Sequence, residues 1–297
     1  MAAERTAWTE EAVHVCAEYR ENRIIRDGKE AMYLSFPVIE RSGFAGTAFT
    51  TRIGGAGTGP YRGVNLRFNS RDSRENVLAN FETAASFLGK TAQDVVLSMQ
   101  THTDNVRVVT EEDRGRGVTR ERNYTDVDAL VTDVPGIVLC TLHADCTPLI
   151  FADPVRRAVG ASHAGWRGSA LGIAERTVRV MEEAFGSRPE DIQVAIGPVI
   201  SVRHYEVGPE VAEEFFLKFG EEACRENAVI LPGEGDRSFL DLARANRLIL
   251  ERAGVLPQNI VSCGLCTYEN PDLFYSHRYV RGGERGTMGS LVTIREE

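Results

Sequence analysis

An excess of positive charge is the first thing this chain lacks. Its 34 Lys and Arg stand against 43 Asp and Glu, a formal net charge of −9. No basic face awaits a polyanion, so nucleic acid is not an expected partner. Long apolar runs are missing too. None approaches the roughly 18 uninterrupted residues of a membrane span, which excludes a membrane partner as an expectation. The opening MAAERTAWTEEAVHVCAEYR has acids throughout and no apolar segment followed by small residues, so no export signal is read and a cytoplasmic location is expected. Six cysteines in 297 residues are too few for a disulfide scaffold and predict mostly reduced thiols. Nucleotide-binding fingerprints are absent as well. The glycine-rich GGAGTGPYRG lacks the GK[ST] of a phosphate loop and does not read GxGxxG, leaving a turn that borders a pocket.

What is present reads as an ordinary globular chain. Residues 1–27 are polar, with Trp8, Val13 and Cys16 at loosely helical spacing, and predict an N-terminal extension ahead of a catalytic domain over 28–297. YLSFPVI and GTAFTTR alternate as strands do. Asp72 with Glu75 makes a capping-box pattern for a helix with Val77, Phe81, Ala84 and Leu88 on one face and Gly89 at its end. After VVLSMQ and VRVV, the charged run from Glu111 to Arg122 has no apolar period and predicts a solvated loop.

Four apolar runs follow between Asp128 and Gly165 with no room for helices between them, which argues a meander or mixed sheet. Ser169 is placed as the cap of a helix carrying Ala174, Val178, Met181 and Phe185, ended by Gly186. Helices over 209–219 and 242–249 and strands IVSCGLCTY, FYSHR and SLVTI complete the pattern. No linker or repeat divides it. The expected fold is a single α+β domain, a layered sandwich of mixed β-sheets covered by helices.

Chemistry is sought first at the few histidines. QTHTD, HADC and HAGWRG put His102, Cys146 and His163 at three predicted strand ends. Two imidazoles and one thiolate supply three ligands to Zn²⁺ and leave the fourth tetrahedral position open, the pattern of a catalytic site. The same atoms also suit a cysteine nucleophile with His163 or His102 as base. A closed structural zinc site would need a fourth ligand, for which His143 or His277 is the candidate. Cys263 and Cys266 have CxxC spacing without a second pair and read as structural. The HxE and PCxxC signature of zinc nucleobase deaminases is missing. Arg52, Arg167, His277 and Arg278 form a candidate anion-binding rim, since guanidinium offers planar, paired donors.

Taken together and in order, TTRIGGAGTGPYRGVNL, QTHTDNV, DALVT, ADCTPLIFAD, SHAGWRG, GPVISVRHYEVG, FLDLARAN and FYSHR closely resemble the laccase-domain family, also described as polyphenol-oxidase-like proteins and zinc purine nucleoside phosphorylases. The resemblance spans about residues 33–295. It implies an α/β sandwich with one zinc on two histidines and a cysteine, which fall on His102, Cys146 and His163. It implies phosphorolysis of adenosine, inosine, guanosine and methylthioadenosine, with adenosine deamination in some members and copper-dependent phenol oxidation as an older description.

On this reading the substrates are a purine nucleoside and phosphate, and Cys146, His163 and Asp145 carry the chemistry. Asp145 is expected either to fix the tautomer of a ligand histidine or to serve as a structural cap. Asn65 and Gln100 are expected to contact sugar or base. Copper is disfavoured because six scattered histidines do not make the recurring HxH pairs of a multicopper oxidase. In two places the chain departs from the family pattern. NLRFNSRDS replaces the usual NL–GD, so Asp72 stands in with a shifted loop, and FYSHRYVRGG brings His277 beside the pocket.

Overall fold

The computed structural model describes residues 18–26, 28–68 and 70–296. The chain opens on a hairpin of β1 (Arg20–Arg26) and β2 (Lys29–Ser35), then a single helical turn α1 (Pro37–Glu40), strand β3 (Ala45–Thr50) and helix α2 (Arg74–Ser86). Short strands β4 (Val95–Leu97) and β5 (Val106–Val108) precede β6 (Ala129–Thr132), β7 (Val138–His143), β8 (Thr147–Asp153) and β9 (Ala158–Ala164). Helices α3 (Trp166–Leu171) and α4 (Ile173–Phe185) lead to β10 (Gln193–Ile196) and β11 (Glu206–Val207). The remainder is α5 (Pro209–Phe219), α6 (Glu221–Glu226), β12 (Ile230–Pro232), β13 (Ser238–Leu240), α7 (Leu242–Arg252), β14 (Ile260–Ser262) and β15 (Met288–Ile294).

Two six-stranded sheets stack, one ordered β1-β2-β3-β15-β7-β4 and the other β14-β10-β8-β9-β6-β5, with a small sheet β11-β13-β12 beside them. Both large sheets are mixed: β4/β7, β10/β14 and β5/β6 run parallel among antiparallel neighbours. Leu34, Phe49, Leu139 and Val292 of the first sheet meet Ile150 and Ala161 of the second in the inter-sheet core. Strands β3, β8, β9 and β15 are buried along their whole length because both of their faces are covered, which explains their unbroken apolar runs. Helix α2 packs Val77, Phe81 and Ala84 on the outside of the first sheet. Helices α4 and α7 cover the second with Val178 and Ile249, and α5 adds Phe215 to the same core from beside α3, α6 and β13. The result is the predicted single-domain sandwich of mixed sheets with helices outside.

Several boundaries differ from the sequence reading, each for a local reason. Arg20–Arg26, read as part of a polar extension, pair with β2 over their full length, because a surface hairpin needs little apolar content. Trp8, Val13 and Cys16 lie outside the described residues. The α2 cap is Ser73, which accepts from Asn76 N at 3.1 Å, while Asp72 is engaged by Asn65. Ser169 lies inside α3 rather than capping α4. It is buried against Asn246, and Gly172, at φ 99°, makes the break between the two helices.

The run 111–122 is a built loop and not merely solvated. Asp113 is buried and paired with Arg107, and Arg122 donates to Leu97 O. FYSHR is irregular instead of extended, and the predicted strand over 260–268 ends at Ser262. These two departures matter, since this irregular chain passes over the end of the sandwich where the histidines gather.

Candidate metal centre

The site forms where the chain repeatedly crosses from one sheet to the other. The β4–β5 connection carries His102, the tight β7–β8 connection carries Cys146, and His163 is the penultimate residue of β9. Their ligand atoms all lie within 4.8 Å of one another, and Cys146 Sγ stands 3.9 Å from His102 Nε2. Ligands held at 2.0–2.3 Å around a tetrahedral zinc are about 3.3–3.8 Å apart, so the three need only a small inward movement to coordinate one ion. Among the described residues this is the one group of three or more side chains able to hold a metal. His143 and His277, the candidate fourth ligands of a closed site, do not join it. His143 instead lies buried, bonding Thr141 Oγ1 at 2.8 Å and Cys146 O at 3.2 Å, and burial holds its imidazole well below the usual range and therefore neutral.

Asp128 organises the group. It immediately precedes β6, has no solvent exposure, and accepts four hydrogen bonds. Oδ1 receives His163 Nδ1 at 2.7 Å and His102 N at 3.1 Å, while Oδ2 receives Thr101 N at 2.8 Å and Thr103 N at 3.1 Å. Three successive N–H groups converge on one carboxylate because His102 adopts φ 67°. Burial opposes charge on Asp128, but the His163 bond and these backbone donors outweigh it and hold the carboxyl below its usual range. With Nδ1–H donated to Asp128, His163 presents its Nε2 to Cys146. This is how an outer carboxylate orients a ligand histidine.

Electrostatics within the metal-free group favour a thiolate on Cys146 and a charged imidazole on His163. Burial pushes the Cys146 thiol up, yet the His163 charge and hydrogen bonds from both histidines more than reverse this and lower it to about 6. His163 moves upward for the matching reason: burial opposes its charge, and the thiolate and Asp128 overcome that opposition. A bound cation would take the place of the imidazolium proton as partner of the thiolate. Space is set by Gly165, where a Cβ would come 2.7 Å from the His102 ring and 3.1 Å from Cys146 Sγ.

The other sequence-derived site residues separate into distinct roles. Asp145 does not touch a ligand histidine. Its carboxylate accepts from Thr267 Oγ1 at 2.6 Å and from Arg278 N at 2.7 Å, tying the irregular 267–278 chain to the turn that carries Cys146. Gln100 exchanges hydrogen bonds with Leu142 N and O, both at 2.7 Å, and its oxygen also accepts from Ser98 Oγ, so it clamps β7. Asn65 is wholly internal. Arg52 donates to Pro271 O at 2.6 Å and covers the Tyr275 ring; Arg167 covers Trp166; Arg278 donates to Glu206 O at 2.9 Å and covers Tyr205. His277 is exposed at the rim.

Sequence reasoning missed Asp128. The signal was there in the acid set directly against the apolar run ALVT, a place where a carboxylate has to find several donors. It also missed Tyr205, whose burial and proximity to Cys146 and Asp145 raise its phenol.

With this centre at the mouth of a double-sheet sandwich, the chain belongs to the multi-copper polyphenol oxidoreductase laccase family, whose model matches residues 46–295. It is 41% identical over 247 residues to a purine nucleoside phosphorylase of Deinococcus radiodurans, covering 83% of this chain and 88% of that protein. It is 35% identical over 251 residues to the purine nucleoside phosphorylase YlmD of Bacillus subtilis, covering 84% and 88%. Among solved structures, the hypothetical protein YfiH of Bacillus licheniformis superimposes with a TM-score of 0.82 at 34% identity, covering 89% of this chain and 96% of that one. No helix among the described residues is long and apolar enough to cross a membrane.

Proposed function

We propose that this protein is a zinc-dependent purine nucleoside phosphorylase acting on adenosine, inosine, guanosine and methylthioadenosine. The observation that carries the reading is the convergence of two imidazoles and one thiolate, with no fourth ligand among the described residues, in a chain whose relatives bear the name purine nucleoside phosphorylase. The mixed nitrogen and sulfur donor set suits zinc, and a copper oxidase would need several histidine clusters where the described residues supply one. Held by His102, Cys146 and His163, the ion would supply Lewis acidity.

The chain's own residues do the rest. Asp128 fixes the His163 tautomer, Gly165 keeps the mouth of the site clear, and Asp145 anchors the loop bearing His277 and Arg278 beside it. In the reaction a phosphate oxygen bonds to C1′ of the ribose and the C1′–N9 bond breaks. Its electron pair leaves with the purine, which takes up the proton that phosphate gives up. Positioning and charge account for the acceleration.

The test is incubation of zinc-loaded protein with inosine and phosphate, followed by measurement of hypoxanthine and ribose 1-phosphate. Product that disappears in Cys146→Ala supports the reading; absence of product, or product unchanged in that variant, refutes it. The same incubation with adenosine reads deamination separately, as inosine formed without phosphate.

A second reading, a cysteine hydrolase or deamidase, is favoured by one observation: the metal-free Cys146–His163 pair has the charges of a thiolate and an imidazolium. Alkylation separates the two. A zinc-bound thiolate resists iodoacetamide until chelator is added, whereas a free nucleophile reacts at once.

A further inference from the structure

Asn65 ties together two arginine-bearing segments that are remote in sequence. Its Oδ1 accepts from Arg67 N at 3.0 Å and from Thr287 N at 3.2 Å, while Nδ2 donates to Asp72 at 3.0 Å. Gly286 lets the segments close on each other, since a Cβ there would fall 2.9 Å from Asn65 Oδ1 and 2.7 Å from the Tyr275 ring. The contact sets Arg285 within electrostatic reach of Arg67, Asp145 and Cys146, and sets His277 within reach of Arg285, Arg278, Arg67 and Asp145. A cationic cluster therefore borders the metal-binding triad.

The nearby carboxylates are committed elsewhere. Asp145 holds Thr267 and the Arg278 backbone, Asp72 accepts from Asn65 and Asn76, and Glu284 pairs with Arg71. Among the described residues neither Arg67 nor Arg285 has an ion-pair partner. Arg285 donates from Nη1 to Gly286 O at 3.2 Å, and its Nε is buried with nothing to donate to. Gathering like charges and burying an unpaired donor is unfavourable unless an anion completes the arrangement.

We propose that Arg67 and Arg285, with His277 at the rim, form the seat for inorganic phosphate beside the metal-binding triad. This rests on the phosphorolysis reading and deepens it by naming where the second substrate docks. It also moves that duty from Arg52, Arg167 and Arg278, whose guanidiniums are laid over aromatic rings. Phosphate matches the site because guanidinium presents paired donors to a tetrahedral oxyanion, and the buried Nε–H of Arg285 is such a donor left open. From there the phosphate oxygen would reach C1′ of a nucleoside held at the triad.

The test is calorimetric titration of inorganic phosphate into zinc-loaded protein and into its Arg285→Gln, Arg285→Lys and Arg67→Gln variants, with zinc content and melting temperature measured on each. Arg285→Gln is expected to weaken phosphate at least about tenfold, the loss of one hydrogen bond to a charged group. Arg285→Lys restores part of that affinity, and zinc content is unchanged throughout. Arg67 is exposed, so Arg67→Gln keeps the fold and provides an independent reading should Arg285→Gln melt early. Unchanged phosphate affinity in both glutamine variants overturns the proposal, as does absence of phosphate binding to the wild type. Tighter binding of inosine 5′-monophosphate than of free phosphate through the same arginines overturns the assignment to free phosphate. Phosphate binding that depends on the arginines, in a protein that makes no ribose 1-phosphate, keeps the seat and refutes phosphorolysis. Phosphorolysis with an unaltered phosphate KM in Arg285→Gln does the reverse.

Discussion

Replacing Asp128 by Asn tests whether one buried carboxylate assembles the metal centre. The substitution keeps shape and removes charge. Each Asp128 oxygen accepts two hydrogen bonds, so whichever way the amide sits, its NH₂ group faces two donors and two bonds are lost. Hydrogen bonds to a charged group contribute about 1.5–3 kcal/mol each, giving a ceiling of about 6 kcal/mol. Rotation of the His102 loop recovers some of this, so a stability loss of roughly 3 kcal/mol is expected.

The metal side of the prediction is separate. An amide that points its NH₂ at His163 turns that imidazole to the wrong tautomer, and one that points it at Thr101 and Thr103 loosens the backbone of His102. Either outcome weakens zinc by about 10- to 100-fold, the usual cost of losing an outer carboxylate. Denaturant unfolding of the apo protein measures the first quantity, and competition with a chromophoric chelator measures the second. A folded Asp128→Asn protein whose zinc affinity stays within about threefold of wild type would refute the assignment of Asp128 as organiser of the site.

Further outcomes follow from the same geometry. Gly165→Ala places a methyl 2.7 Å from His102, so it weakens zinc binding, read by the same chelator competition, more than it lowers the melting temperature. In metal-free protein, alkylation of Cys146 by iodoacetamide tracks thiolate formation and falls away as pH drops through about 6 instead of the usual thiol range near 9; loss already at pH 8 would contradict the charge pairing with His163. Asn80 accepts from Ala56 N at 2.7 Å and donates to Gly63 O and Asn65 O, so Asn80→Ala orphans buried groups in the glycine-rich loop and costs about 2–4 kcal/mol in denaturant unfolding, with zinc content retained. Chelation is expected to abolish turnover while the far-ultraviolet circular dichroism stays native, because the three hydrophobic clusters do not depend on the ligands. Unfolding on chelation would make the metal structural.

Periodicity carried much of the fold. Helices α2, α4, α5 and α7 bury the faces read from their 3.6-residue spacing, and the buried strands were visible as continuous apolar runs, since both signals arise within a few consecutive residues. Short or polar elements were lost. Strand β1 has few apolar residues to mark it, and α6 is a six-residue helix too short to show a period.

The site divides along the same physical line. Residue chemistry is local, so Gly, His and Cys at turn-like positions were enough to nominate His102, Cys146 and His163 from sequence, in company with a family resemblance. Partnership is not local. That Asp128 rather than Asp145 orients His163, that Gln100 and Asn65 are engaged in internal hydrogen bonds, and that Arg67 and Arg285 share one corner while Arg52, Arg167 and Arg278 lie over aromatic rings all depend on how two sheets bring distant loops to one edge. A sequence specifies which donors, acceptors and charges a chain owns; only the packed fold decides which of them are already satisfied and which remain open for a ligand.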